Sequence, residues 1–302
     1  MPRKIIYLVN PIAGVKTKSQ LQDTISRETA QRGIDFEIIY TNAEGDYRFL
    51  ASRIGHEGIT DVVVCGGDGS INTVAAALMG VDINIGIIPM GSGNGLALTA
   101  KIPRKLLRAL DVVFNGQSSY VDGCFINERF SCMLCGIGFD AKVAHEFARQ
   151  KRRGLKTYIK VTGANFFSAK PYLFEVHTSE KSFTTEAYFI SIANSNQFGN
   201  NFTIAPHARL SDGLIDVVIV KKMSKLVLPF SVIGHVTGFT NAYDEDDEKK
   251  GNIVYFQASS LTIVNTQNAP LHIDGDPADT AERFHIRVVP RAIRLIKPLS
   301  LS

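Results

Sequence analysis

Cysteine is scarce in this sequence, with four in 302 residues. That is too few for a disulfide scaffold in a chain of this length. Cys132 and Cys135 form a C-x-x-C, which invites a zinc or redox reading. No second pair completes a zinc site, and the flanking Phe130, Met133, Leu134 and Ile137 are apolar, so the pattern reads as a buried strand. Long apolar runs are missing too. Ile5 to Val9 is too short for the core of a signal peptide and leads into a polar loop. The longest stretch, Leu226 to Phe239, is broken by Pro229, Ser231 and His235 and falls short of a membrane span. The expectation is a cytoplasmic protein without a transmembrane segment, whose membrane contact is peripheral. Neither sign of charge dominates: 33 basic against 29 acidic residues leave a net +4. That suits phosphate ligands or an anionic membrane surface and is too weak to argue for nucleic acid.

What is present is a core and a change of pattern. Hydrophobic residues make up 45% of the chain, enough for one large domain or two modest ones. Up to about residue 120, short β-branched runs alternate with helical patterns. Strands are expected at Ile5 to Val9, Asp35 to Tyr40, Val62 to Cys65 and Ile85 to Ile88. Helices are expected at Ser19 to Arg32, with Gly33 as its terminator, at Asp46 to His56 and at Ser70 to Met79. Continuously apolar strands alternating with helices imply a parallel sheet covered on both faces. Thereafter strand-like runs dominate: Tyr172 to His177, Thr185 to Ala193, Leu214 to Val220, Ile253 to Phe256, Ser260 to Val264 and Phe284 to Val289. Only Ala141 to Lys151 and the segment after Lys225 read as helical. The expected fold is therefore an α/β nucleotide-binding domain over 1–127 and a mainly antiparallel β-sandwich over 128–291, with 292–302 packing back on the first domain. The charged run Asp244 to Lys250 reads as a solvated loop.

Two loops carry the chemistry. Gly66-Gly67-Asp68-Gly69-Ser70-Ile71-Asn72 follows a buried strand directly. Glycines let backbone approach a ligand, and the helix that follows offers unpaired N–H groups to phosphate oxygens. Asp68 would repel phosphate unless a cation or water network lies between them, hence an expected Mg²⁺. Pro89-Met90-Gly91-Ser92-Gly93-Asn94-Gly95 follows the next strand. In a parallel sheet both loops leave at the carboxyl edge, where ligands of open α/β sheets bind. Ser92 can donate to a phosphate, and Asn94 can bond a base, a ribose or the facing loop. Asn10-Pro11, with Ala13-Gly14, ends a third strand at the same edge. No P-loop is present, since Lys16-Thr17 follows Val15, and neither glycine loop completes G-x-G-x-x-G.

Asn10-Pro11, Gly66 to Ser70 and Pro89 to Asn94, in this order and spacing, resemble the diacylglycerol kinase catalytic-domain family, which includes soluble bacterial lipid kinases, sphingosine kinases and ceramide kinase. Gly136-Ile137-Gly138-Phe139-Asp140-Ala141, Ser211-Asp212-Gly213-Leu214-Ile215-Asp216 and Asp274-Gly275-Asp276 extend the resemblance over the whole chain. It implies an ATP- and Mg²⁺-dependent lipid kinase with its site in the cleft between two domains. Asn10, Pro11, Gly14, Thr41, the loop Gly66, Gly67, Asp68, Gly69, Ser70 and Asn72, and the loop Gly91, Ser92, Gly93 and Asn94 would hold the nucleotide. A metal would be held by Asp212 with Arg209 and Leu214, in a turn that would otherwise pass for a hairpin. Asp274 and Asp276 could divide metal binding and proton abstraction, and either would serve as general base for the acceptor hydroxyl.

Two departures bear on the acceptor. Gly95 stands where the bacterial diacylglycerol kinases commonly carry an acid, and is closer to the sphingosine and ceramide kinases. Lys142 stands where sphingosine kinases tend to carry an acid to meet the substrate amine. The acceptor is thus a diacylglycerol or a related sphingoid or ceramide-like lipid. Arg149, Lys151, Arg152 and Arg153 would meet anionic headgroups at ~1 kcal/mol each, or simply complement a helix end. The oligomeric state stays open, a dimer included. The rivals are an NAD kinase-like phosphotransferase and a catalytically silent lipid- or nucleotide-binding protein.

Overall fold

The structure is a computed structural model that describes residues 2–11, 18–41, 45–150, 154–166, 168–199, 202–224 and 251–299. Gly14, Lys151 to Arg153, the helix expected after Lys225, the apolar stretch Leu226 to Phe239 and the charged run Asp244 to Lys250 lie outside the described residues. The chain forms two compact units, Met1–Val121 with Arg291–Ser302, and Asp122–Pro290.

Unit 1 is the α/β domain. Its elements are β1 (Lys4–Val9), α1 (Lys18–Ala30), β2 (Asp35–Tyr40), α2 (Phe49–Glu57), β3 (Asp61–Gly66), α3 (Asp68–Leu78), β4 (Asn84–Pro89), α4 (Gly95–Thr99), α5 (Leu106–Asn115) and the first half of β5 (Gln117–Ile126). The sheet is parallel in the order β2-β1-β3-β4. Ile5 to Val9 and Val62 to Cys65 are buried throughout, as strands covered on both faces must be. Gly33, at φ 63, follows α1 in the left-handed conformation that ends helices, and its N–H bonds the Ala30 carbonyl. The amino edge of the sheet is closed by structure. Asp61, 1% exposed, accepts from Arg3 at 2.8 and 3.1 Å, Thr60 at 2.6 Å and Asn84 at 3.1 Å. The expected pattern left α4 and α5 unassigned; α5 forms because Ala109, Leu110, Val112 and Val113 recur at helical spacing on one buried face.

Unit 2 is the antiparallel β-sandwich. It contains β6 (Arg129–Ser131), β7 (Leu134–Gly138), α6 (Phe139–Ala148), α7 (Leu155–Phe166), β8 (Tyr172–His177), β9 (Ser182–Ala193), β10 (Gln197–Gly199), β11 (Phe202–Thr203), β12 (Ile215–Lys221), β13 (Ile253–Ala258), β14 (Ser260–Val264), β15 (Leu271–Ile273), β16 (Asp276–Ala278) and β17 (Arg283–Lys297). The long β9 pairs with β12 along one edge and with β8 and then β7 along the other. The core gathers Phe174, Ile190, Ile192, Val217, Ile263 and Phe284 from these strands. From Arg291, at φ 54, β17 leaves unit 2, and its last residues pair in parallel with β4 in unit 1.

Two expectations in this unit are corrected. Helix α7 was not anticipated: its β-branched residues and Gly163 lower intrinsic propensity. It is held instead by packing on α6, through ring contacts Phe147–Tyr158 and Phe139–Phe166 and the bond from Asn165 to Glu146 at 2.6 Å. The Cys132 to Cys135 segment is buried but is not one strand. Cys132 and Met133 form the bend between β6 and β7, and only Leu134 and Cys135 enter β7.

Candidate active site

The parallel register aligns four strand ends in unit 1. Val9 is level with Tyr40 and Cys65, and Gly66 with Pro89. Backbone bonds carry the alignment one residue further: Asn10 N to the Cys65 carbonyl, Thr41 N to Val9, and Met90 N to Gly66. Asn10, Thr41 and both glycine loops therefore share the carboxyl edge. Pro11 follows in the first turn beyond β1.

The two loops touch through their glycines. A Cβ on Gly91 would stand 2.7 Å from Gly67 Cα, closer than carbon atoms approach without bonding. A Cβ on Gly66 would meet Ser70 Cβ at 2.8 Å. Ser70 in turn accepts from the Asn10 amide at 2.8 Å, which ties the β1 loop to the start of α3. Asn94, buried and left-handed at φ 56, takes the Gly91 N–H at 2.8 Å and returns its own amide N–H to the Gly91 carbonyl at 2.7 Å. Its polar atoms thus shape their own loop. Arg104 donates to the Gly93 carbonyl at 2.8 Å, and Ser92 remains exposed at the tip. Asp68, the first residue of α3, accepts from Gly95 N at 3.1 Å and Leu96 N at 3.4 Å. The carboxylate expected to face a metal–water network hence also fastens the second loop to the first. Gly69 and Asn72 lie within the first turns of α3, an eleven-residue helix whose opening N–H groups face this edge.

In unit 2, Asp212-Gly213 forms an exposed turn before β12. Asp212 accepts from Leu214 N at 3.1 Å, and Gly213, at φ 76, donates to the buried Asp122 at 2.8 Å. Arg209 is exposed beside the same turn. Asp122 was not singled out from the sequence, because no local motif marks it. The contacts that fix it are distant in sequence: beside Gly213, Asn194 joins its carbonyl to that of Cys132. Asp216 follows inside β12, bonded by Tyr255 and Gln257; burial pushes its carboxyl above the ordinary value near 3.8, and Asp212 adds to the effect. Among the described residues no three His, Cys, Asp or Glu side chains form a metal-ligating group. The Asp212 turn offers one carboxylate and backbone carbonyls, a hard-oxygen set that suits a largely hydrated Mg²⁺.

Asp274-Gly275 is the two-residue loop of a hairpin. Ile273 pairs with Asp276, and φ is 51 and 86 at the two loop positions, the combination that two-residue hairpins favour. The acids on either side of Gly275 differ sharply. Asp274 is 6% exposed, and one oxygen accepts from Ser131 Oγ at 2.6 Å, Leu134 N at 3.0 Å and Met133 N at 3.2 Å. Asp276 is exposed at the start of β16. The same hairpin borders a buried pair, Asp140 on α6 and His272 on β15, with Nε2 3.4 Å from Oδ2. A cavity of about 240 Å³ opens beside α6, lined by Phe139, Lys142, Ser168, Ala169, Lys170 and Tyr172.

Comparison with known proteins is consistent across the chain. The family model of the diacylglycerol kinase catalytic domain matches residues 4–126, and that of the YegS C-terminal NAD kinase beta sandwich-like domain matches residues 134–297. A protein of Shewanella frigidimarina named probable lipid kinase YegS-like is 27% identical over 92% of this chain and 88% of its own length. The probable lipid kinase YegS of Escherichia coli is 26% identical over 89% of this chain and 88% of its own. A crystal structure of a diacylglycerol kinase from Bacillus anthracis shares the fold, with a TM-score of 0.75 at 18% identity over 99% of this chain and 98% of that one.

Proposed function

The chain belongs to the diacylglycerol kinase catalytic domain family, and from that premise we propose that it transfers the γ-phosphoryl group of ATP to a hydroxyl of a diacylglycerol-type lipid. The observation that carries this reading is the contact of Gly67 with Gly91, which joins two glycine loops at the carboxyl edge of a parallel sheet. Loops held this close leave backbone, not side chains, facing a ligand, and the N-terminus of α3 adds N–H groups suited to phosphate.

Phosphoryl transfer is catalysed mainly by positioning and charge stabilisation. Unit 1 is assigned the nucleotide: Ser92 would donate to phosphate, Asn10 and Ser70 would brace the first loop, and Asp68 would hold the second in register. Unit 2 is assigned the acceptor. Asp276 is exposed, which lets its carboxylate meet an acceptor hydroxyl and take its proton, whereas Asp274 is buried and one of its oxygens accepts from three protein donors. Mg²⁺, when bound, neutralises charge on the phosphates. Asp212 and the carbonyls of Arg209 and Leu214 are the residues that would hold it.

Lys142 and Lys170 at one cavity favour a neutral or anionic headgroup over one bearing an amine. This separates a glycerolipid acceptor from a sphingoid base, whose ammonium would meet two like charges. No helix among the described residues is long and apolar enough to cross a membrane. In this reading the enzyme meets its lipid by peripheral contact with a membrane surface, with the exposed Arg149 among its basic contacts.

The description of the second matched domain as NAD kinase-like favours one other reading, phosphorylation of NAD. Labelled ATP supplied with vesicles carrying diacylglycerol, ceramide or sphingosine, and separately with NAD, distinguishes them by mass spectrometry of the product. Phosphatidic acid from diacylglycerol is the expected product. NADP in its place overturns the reading, and nucleotide binding without turnover of any acceptor indicates a silent member of the fold.

A further inference from the structure

β15 and β7 run antiparallel with His272 directly opposite Gly136. A side chain at 136 would collide with Asp140 Oδ2 and His272 Nε2, so the absence of a Cβ there makes room for both. Asp140 and His272 are 7% and 2% exposed. Asp140 Oδ1 accepts from Ala141 N at 2.8 Å; among the described residues Oδ2 has no ordinary hydrogen bond and faces His272 Nε2 at 3.4 Å. On the other side of the ring, His272 Nδ1 receives the N–H of Gly275 at 3.3 Å. A nitrogen that accepts carries no proton, which leaves the ring proton on Nε2, the nitrogen 3.4 Å from Asp140 Oδ2. The helix is pinned a second time to the same strand by His145 Nε2 and the Leu271 carbonyl, 2.7 Å apart.

We propose that Asp140 and His272 are a buried positioning pair, in which Asp140 fixes the tautomer of His272 and His272 holds the Gly275 amide, setting the direction in which the next residue, Asp276, presents its carboxylate. Asp274 anchors one side of the loop to the β6–β7 bend, and His272 anchors the other to α6 through Asp140. With both in place the two-residue turn has little freedom, which is what an exposed base needs if its approach to a hydroxyl is to be fixed by the fold. The pair also accounts for why Gly136 and Asp140 stand four residues apart: the glycine vacates the volume the carboxylate fills.

The inference rests on the kinase reading for Asp276, and the test separates the two. In the full-length protein, ¹⁵N shifts of the His272 ring report the tautomer without any assay, and the exchange rate of the Gly275 amide reports the clamp. The expected results are an Nε2–H ring and a Gly275 amide that exchanges faster in His272→Ala. Kinetically, His272→Ala lowers kcat roughly tenfold, the scale set by loss of an orienting partner, with KM for ATP unchanged. His272→Asn, which restores an acceptor near the Nδ1 position, recovers most of it. Asp140→Asn falls between them, and His272→Ala in an Asp276→Ala background is no slower than Asp276→Ala alone. An Nδ1–H ring, a wild-type kcat in His272→Ala, or losses that multiply in the double variant each overturn the pair. A wild-type rate in Asp276→Ala overturns the assigned base instead, and leaves the tautomer and exchange measurements to decide the pair.

Discussion

Gly67 and Gly91 are in backbone contact, each occupying the space where the other's Cβ would lie, at 3.1 and 2.7 Å from the facing Cα. Overpacking of this kind costs about 1–3 kcal/mol, and here it falls on the two loops assigned to the nucleotide. Gly91→Ala should therefore weaken ATP binding roughly tenfold, equivalent to about 1.4 kcal/mol, beside a fall of a few degrees in thermal midpoint. Titration of a fluorescent ATP analogue measures it; an unchanged Kd would remove the loops from the nucleotide site.

The two acids of the hairpin should fail in different ways. Asp274→Ala strips three donors of their buried acceptor, and each orphaned group costs about 1–3 kcal/mol. Its midpoint should drop by several degrees. Asp276→Ala, at an exposed position, should keep the wild-type midpoint and lose about 10²–10⁴-fold in kcat. Calorimetry beside steady-state kinetics tests both, and the reverse assignment follows if the stability loss appears at Asp276.

Asp216 has a raised carboxyl pKa because it is buried. Between the ordinary value near 3.8 and its raised value, the folded protein holds a proton that the unfolded chain has released. This group's contribution to stability is thus greatest at acid pH and falls as pH rises through that window. Asp216→Asn removes the burial cost of the charge, so the variant should gain stability relative to wild type on going from pH 4 to pH 7. Paired thermal melts at the two pH values read the difference, and a gap that does not change with pH refutes it.

The cysteines Cys65, Cys124, Cys132 and Cys135 are all buried and form no disulfide with one another. Burial raises the thiol of Cys65, while contact with Cys124 and then burial raise that of Cys135. A thiol held protonated and out of solvent is a poor nucleophile. A disulfide reagent should label none of the four in the native protein within minutes and all of them in guanidinium. Rapid native labelling at Cys132 or Cys135 would revive the redox reading of that pair.

Local pattern carried far in this chain. The buried runs and their glycine stops give the parallel sheet almost residue by residue, because continuous burial and left-handed helix ends are properties of short windows. It failed where stability is borrowed from elsewhere. α7 has a poor intrinsic sequence and stands on its aromatic contacts with α6. The difference between Asp274 and Asp276 was equally hidden, since it depends on Ser131 and two amides more than a hundred positions away. His272 lies in a three-residue apolar strand where nothing marks a polar role; only the empty Cβ position of Gly136, brought opposite by pairing, does so.

The parallel pairing of β17 with β4 has a consequence for biogenesis. Translation delivers β1 to β4 early, but the segment that covers the free edge of β4 follows the whole of unit 2. Until then a nascent chain carries an open, apolar strand edge of the kind that recruits other strands. The interval between those two events is when this protein would lean most on chaperones, and faster folding of unit 2 would shorten it.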